Sequence, residues 1–272
     1  MSRDACAAMV AKGDPDRFRA AKLAGDRAWR LHALYAFNLE VARIPAAVSE
    51  PMLGEIRLQW WRDVVAEIFD GKPPRRHEVV TPLAEVILDA GLPRAPFDAL
   101  LDARAWDIHG LRLADHAALG VYLDGSAGAL MQLGALALGA DARGGEVARQ
   151  VGAATGLGLL IRALPALYAQ GADPVMVEGL DRNALAEGRT PPDLADALRP
   201  LAAGALARLA GTRAQRRAVD PAAIPAMVAN WTAEPVLTAA ARPGFDLYAE
   251  QAVESEFRRS FRLMSKVVRA VW

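Results

Sequence analysis

Asn38, Tyr122 and Arg162 are polar side chains set into otherwise apolar helical stretches of this 272-residue chain. An amide, a phenol and a guanidinium lining a pocket would suit a lipid-like or anionic ligand, with Arg162 as the anion contact. The same three would equally serve as a satisfied internal network, because a buried arginine needs a partner. Glu40 and Asp107 are the candidate partners. Gln59 and the Trp60–Trp61 pair carry the same ambiguity between packing and an interaction surface. Other catalytic constellations fall away. His32, His77, His109 and His116 show no paired metal-ligand spacing, and Cys6 is the single cysteine. Gly156-Leu157-Gly158 lacks both a preceding strand and the third glycine of a dinucleotide loop. There is no Walker loop, nucleophile elbow or Ser-His-Asp pattern.

The elements that must position these groups are helices. Alanine and leucine dominate and strand-like alternation is absent. Helices are expected near 16–24, 26–44, 50–70, 78–90, 96–108, 115–139, 143–169, 181–187, 193–211, 221–230, 232–241 and 246–271. Leu31, Leu34, Tyr35, Asn38 and Ala42 recur on one helical face, and Pro45 stops or kinks that helix. Ser49 reads as the next N-cap, with Glu50 and Pro51 in the first turn. Leu53, Ile56, Trp60, Val64 and Ile68 form the expected apolar stripe of that helix. Gly/Pro clusters at 71–74, 91–93, 188–192 and 242–244 punctuate the chain but are too short for interdomain linkers. A single domain over 1–272 is expected, with residues 1–14 flexible. The apolar run 127–140 falls short of the ~20 residues that cross a bilayer. That run, and 151–169 with Arg162 and Pro165, read as core helices whose small residues permit close approach.

ALYAFN at 33–38 followed by IRLQWWRD at 56–63 resembles the opening of the squalene/phytoene synthase family. AFN with LEVAR, then SEP, Gly54, Arg57, Gln59 and Trp60, is similar to the branch that contains a mitochondrial respiratory complex I assembly factor and its bacterial relatives. The segments 103–115, Tyr122 with 126–139, and 152–171 follow in the family's order. The likeness covers roughly 15–210 and weakens beyond. It implies an all-α, isoprenoid-synthase-like helical bundle around a central cavity. Asn38, Tyr122 and Arg162 are implied to face that cavity, with Glu40, Arg43 and Gln59 as further pocket candidates. Active members join prenyl diphosphates, and Mg²⁺ held by two pairs of acids neutralises the leaving group. By resemblance those pairs fall at Ala42 and Ala46 and at Ala163 and Leu167. All four expected ligands are therefore apolar here, and position 43, often a third acid, is Arg43. Neither Glu40 nor Asp173 and Glu178, which lie beyond a break expected at Pro165, replaces them clearly.

The resemblance thus implies a non-catalytic assembly factor for respiratory complex I or a similar membrane complex, with no metal or cofactor. The alternatives are a Mg²⁺-dependent prenyl transferase with unrecognised ligands, and a lipid- or isoprenoid-binding module. With Lys+Arg equal to Asp+Glu at 32 each, a nucleic-acid partner is disfavoured. One cysteine excludes an internal disulfide, and the N-terminal residues lack the apolar core of a signal peptide. A cytoplasmic protein is expected, peripheral on the inner face of the membrane if its C-terminal helix docks there. That helix would set Phe257, Phe261, Met264, Val268 and Trp272 on one side, and Arg258, Arg259, Arg262, Lys266 and Arg269 around the rest.

Overall fold

The computed structural model describes residues 2–249, 261–266, 269 and 272. Its described residues form α1 (Ser2–Gly13), α2 (Pro15–Lys22), α3 (Ala28–Ala42), α4 (Pro51–Phe69), α5 (Val80–Ala90), α6 (Ala95–Ile108), α7 (His116–Leu123), α8 (Ala129–Ala137), α9 (Ala142–Ala169), α10 (Arg182–Ala186), α11 (Pro192–Ala214), α12 (Ile224–Met227) and α13 (Ala233–Ala240). Residues 261–266 are helical as well. There is no strand among them, only an isolated bridge between Arg112 and Asp173.

α9 is the central element. It packs on α8, α7, α11 and α13, while α3 lies against α1, α5 and α8. α9 has the length and composition to cross a membrane, but 67% of its most apolar window is buried by the other helices. Its glycines set how near the neighbours come. A Cβ on Gly158 would lie 2.6 Å from the Ala233 carbonyl oxygen, and one on Gly152 would lie 2.8 Å from Met131 Cβ. Glycine therefore lets α13 and α8 approach α9 at backbone distance. Aspartate side chains cap α2, α7 and α9: Asp14, Asp115 and Asp141 each accept from the backbone N–H three residues on.

Several local expectations change. Within the segment 1–14, Ser2–Gly13 form α1, which buries Cys6 and Val10 and packs on α3. The cap of α4 is Glu50 rather than Ser49, with Pro51 at the first helical position. The buried residues of α4 are Gly54, Leu58, Trp61, Val64, Val65 and Ile68. Met52, Leu53 and Ile56 are exposed, because the first turns of α4 overhang the bundle and only Gly54 fits against Ile108. The helix expected at 115–139 is interrupted by a π turn at Asp124–Gly128, between α7 and α8. Pro165 does not break α9, which runs on to Ala169 with Leu164 and Tyr168 buried on either side. Most of the C-terminal helix expected over 246–271, including Phe257 and Val268, lies outside the described residues. Within the described part Leu247 and Leu263 are buried, and Phe261 and Met264 are exposed.

Candidate functional site

A cavity of about 600 Å³ opens between the ends of α3, α6 and α9 and the π turn. Ala42 ends α3, and Ala46 follows in the short 3-10 turn Pro45–Ala47. Ala163 and Leu167 lie one turn apart on α9. All four line this cavity. Leu130, Leu159 and Leu160 extend the apolar wall, with Ala127 and Gly156, where a Cβ on Gly156 would lie 2.6 Å from Ala127 Cβ.

The polar wall comes from α6 and α7. Arg104 and Asp107, one helical turn apart, pair at 2.8 Å with side chains 15% and 16% exposed. The second Asp107 oxygen accepts from the Tyr122 hydroxyl at 2.9 Å. Arg104 also donates to Asn38 Oδ1 at 3.0 Å, which ties α6 to α3. Burial pushes the Tyr122 phenol well above its usual range and the Asp107 charge adds to this, against the opposing Arg104 cation, so the hydroxyl is a neutral donor. Burial disfavours the Arg104 cation, yet Asp107 and Tyr122 outweigh it and hold the guanidinium charged. Arg104 Nε is buried with no hydrogen-bond partner. The π turn places Ser126 at the same wall, its hydroxyl donating to the Tyr122 carbonyl at 2.6 Å.

Arg17 of α2 supplies a second cation. It donates to Asp14 at 2.7 Å and to Asn230 at 3.0 Å, and Asn230 in turn donates to Thr155 of α9 at 3.0 Å. Two guanidiniums and a phenol therefore face a largely apolar space.

The other pocket candidates lie elsewhere. Arg162 is exposed on the outer face of α9, donating to Thr232 at 3.3 Å, because the helical step from Ala163 turns it away from the cavity. Asp107, one of the two partners expected for Arg162, pairs with Arg104. Glu40 faces the opposite side of α3, where its charge acts on the buried Cys6 thiol. Arg43 is exposed and packs over Gly13. Gln59 is exposed on α4 and donates to Asp63 at 2.7 Å. Asn38 is buried and reaches the cavity only through Arg104. Sequence reasoning missed Arg104 as the hub and Arg17 altogether. The Arg104–Asp107 spacing was visible on the α6 segment, but nothing local marks Arg17, whose partner Asn230 is 213 residues away.

These residues do not fit a Mg²⁺-diphosphate centre. Asp107 is the single carboxylate among the lining residues, and both of its oxygens are engaged. Among the described residues no group of three or more His, Cys, Asp or Glu side chains gathers in metal-binding geometry. What the wall offers is hydrogen-bond donation and positive charge.

The profile of the squalene/phytoene synthase family matches residues 10–263. The NADH dehydrogenase (ubiquinone) complex I assembly factor 6 of Mus musculus is 24% identical over 222 residues, covering 79% of this chain and 66% of that protein. The chain thus spans just under two thirds of the length of that relative. A presqualene diphosphate synthase from Rhodopseudomonas palustris is 33% identical over 107 residues, 39% of this chain and 37% of that enzyme. Among solved structures, a dehydrosqualene synthase superposes with a TM-score of 0.82 at 18% identity, covering 99% of this chain and 96% of its own. At that identity the likeness establishes the shared all-α isoprenoid-synthase fold. With the family profile matching residues 10–263 of its 272, the chain belongs to the squalene/phytoene synthase family.

Proposed function

We propose that this chain is a non-catalytic member of its family that serves the assembly of respiratory complex I or a similar membrane complex. The observation that carries this reading is the cavity wall. The four positions at which the family resemblance expects metal-binding acids are Ala42, Ala46, Ala163 and Leu167, and the one lining carboxylate is held by Arg104 and Tyr122. Without carboxylates to bring Mg²⁺ to a diphosphate, the largest catalytic term of prenyl transfer has no source. The similarity to assembly factor 6 supports the assembly role. On this reading the protein needs no metal or cofactor, and works in the cytoplasm or on the inner face of the membrane, beside respiratory subunits.

The test is NADH:quinone oxidoreductase activity in membranes from a strain lacking the gene. Selective loss, restored by the wild-type copy, is expected. Normal activity together with a missing triterpene or carotenoid precursor in the strain's hydrocarbons would overturn the reading in favour of a prenyl transferase.

A ligand-holding role for the same cavity is a second reading, favoured by the orphaned Nε of Arg104 on the polar wall of a largely apolar space. It predicts that a prenyl diphosphate raises the melting temperature equally with Mg²⁺ or with EDTA. A shift that requires Mg²⁺ would refute it.

A further inference from the structure

Two short segments separate the central cavity from an outer pocket of about 360 Å³. Residues 110–113 follow the end of α6, and residues 170–173 follow the end of α9. Leu111 and Ala172 line the central cavity, whereas Arg112 and Asp173, the next residue of each segment, line the outer pocket. One layer of chain therefore stands between the two spaces.

The ties within this layer are weak. At the bridge between Arg112 and Asp173, the Leu113 N–H donates to the Asp173 carbonyl at 3.4 Å, a long bond. The Asp173 carboxylate accepts from Arg182 at 2.8 Å, but those side chains are 36% and 51% exposed and solvent screens the pair. Each segment leaves its helix through a glycine of positive φ, Gly110 at 79° and Gly171 at 82°, where the chain can pivot. Two further features oppose the arrangement. Leu111 sits at φ 45°, a left-handed conformation that a bulky residue rarely adopts, and only its buried side chain holds it there. Tyr168 Oη and Asp173 Oδ1 are both buried with no hydrogen-bond partner among the described residues. Burial pushes the Tyr168 phenol above its usual range and the Asp173 charge adds to this, so it is a neutral donor within reach of that charge.

We infer that residues 110–113 and 170–173 form a flap with two arrangements: one in which Arg182 holds Asp173, and one in which Asp173 turns to the Tyr168 hydroxyl and the central cavity opens to the outer pocket. The second arrangement relieves Leu111 and pairs both orphaned oxygens, and it costs the burial of Leu111 and Ala172. These terms oppose one another, which is what a flap that moves requires. Its use as an entrance rests on the ligand-holding reading of the central cavity, whereas the movement itself does not.

Native-state hydrogen exchange of the full chain, read by mass spectrometry with no ligand added, tests the inference. Both segments are expected to exchange faster than the last turns of α6 and α9, through a local opening that low denaturant leaves unchanged. Arg182→Gln removes the tie on the present arrangement and should speed exchange in both segments about two- to fivefold. Tyr168→Phe removes the alternative partner and should slow it in both about tenfold. Arg94→Gln breaks an exposed pair with Asp98 at the start of α6 and should leave both segments unchanged. Circular dichroism confirms that each variant folds. Exchange that Arg182→Gln or Tyr168→Phe leaves unchanged, that Tyr168→Phe speeds, or that occurs only with global unfolding would overturn the inference, as would separate responses of the two segments. A prenyl diphosphate that fails to raise the melting temperature would refute the ligand-holding reading and leave this result standing.

Discussion

Replacing Arg104 with methionine asks whether the polar wall of the central cavity is one network or a set of independent contacts. The substitution removes the 2.8 Å pair to Asp107 and the 3.0 Å bond to Asn38, and leaves Asp107 with Tyr122 as its remaining donor. Breaking a fully buried pair costs about 3–5 kcal/mol, mostly for the stranded charge. Here both side chains are about 15% exposed and border a cavity open to solvent, so water recovers part of that cost. Arg104→Met is therefore expected to cost roughly 2–3 kcal/mol, and Asp107→Leu about the same. The double variant strands neither charge and should cost only about 1–2 kcal/mol, far less than the sum of the singles. Urea unfolding of all four proteins, compared at equal m-value, gives the coupling directly. If the double variant equals the sum of the singles within about 0.5 kcal/mol, the contacts act independently and the network account is wrong.

Two further outcomes follow from packing and burial. Gly158→Ala would place a Cβ 2.6 Å from a backbone oxygen of Ala233 that cannot easily move, and should cost about 2–3 kcal/mol in thermal unfolding. Gly204→Ala meets nothing within 4 Å on the exposed face of α11 and should stabilise by about 0.5–1 kcal/mol, so equal effects from the two would contradict the close approach described for α9 and α13. Burial pushes the Cys6 thiol up to about 12, with the Glu78 and Glu40 charges adding to it. Because only the thiolate reacts, and a free cysteine titrates near about 8.5, native Cys6 should resist Ellman's reagent at pH 8 and react on unfolding. Reaction of the native protein at the unfolded rate would show that α1 does not shield it.

Helix content and order were legible in the sequence because both follow from local rules: apolar residues at three- and four-residue spacing, aspartate caps, and Gly/Pro breaks. Those rules misled where a helix end meets nothing. The first turns of α4 are as apolar as its later ones, and only the bundle decides that Leu53 and Ile56 stay in solvent while Trp61 is buried. They misled again at α1, whose short alanine-rich segment carries little periodicity yet buries Cys6. Pro165 shows the same limit, since tertiary burial of its neighbours carries α9 through a residue that would end an isolated helix.

By itself the sequence determined an all-α chain of this family and the apolar identities at positions 42, 46, 163 and 167. Only the tertiary structure decided that these four residues share one cavity wall. It alone turned Arg162 to the outside, made Arg104 the hub between Asp107, Tyr122 and Asn38, and paired Glu234 with both Arg213 and Lys266. The physical reason is that a helix face is specified by its own repeat. Which faces meet across 66 residues between Asn38 and Arg104, or 213 between Arg17 and Asn230, is set by how the whole bundle packs.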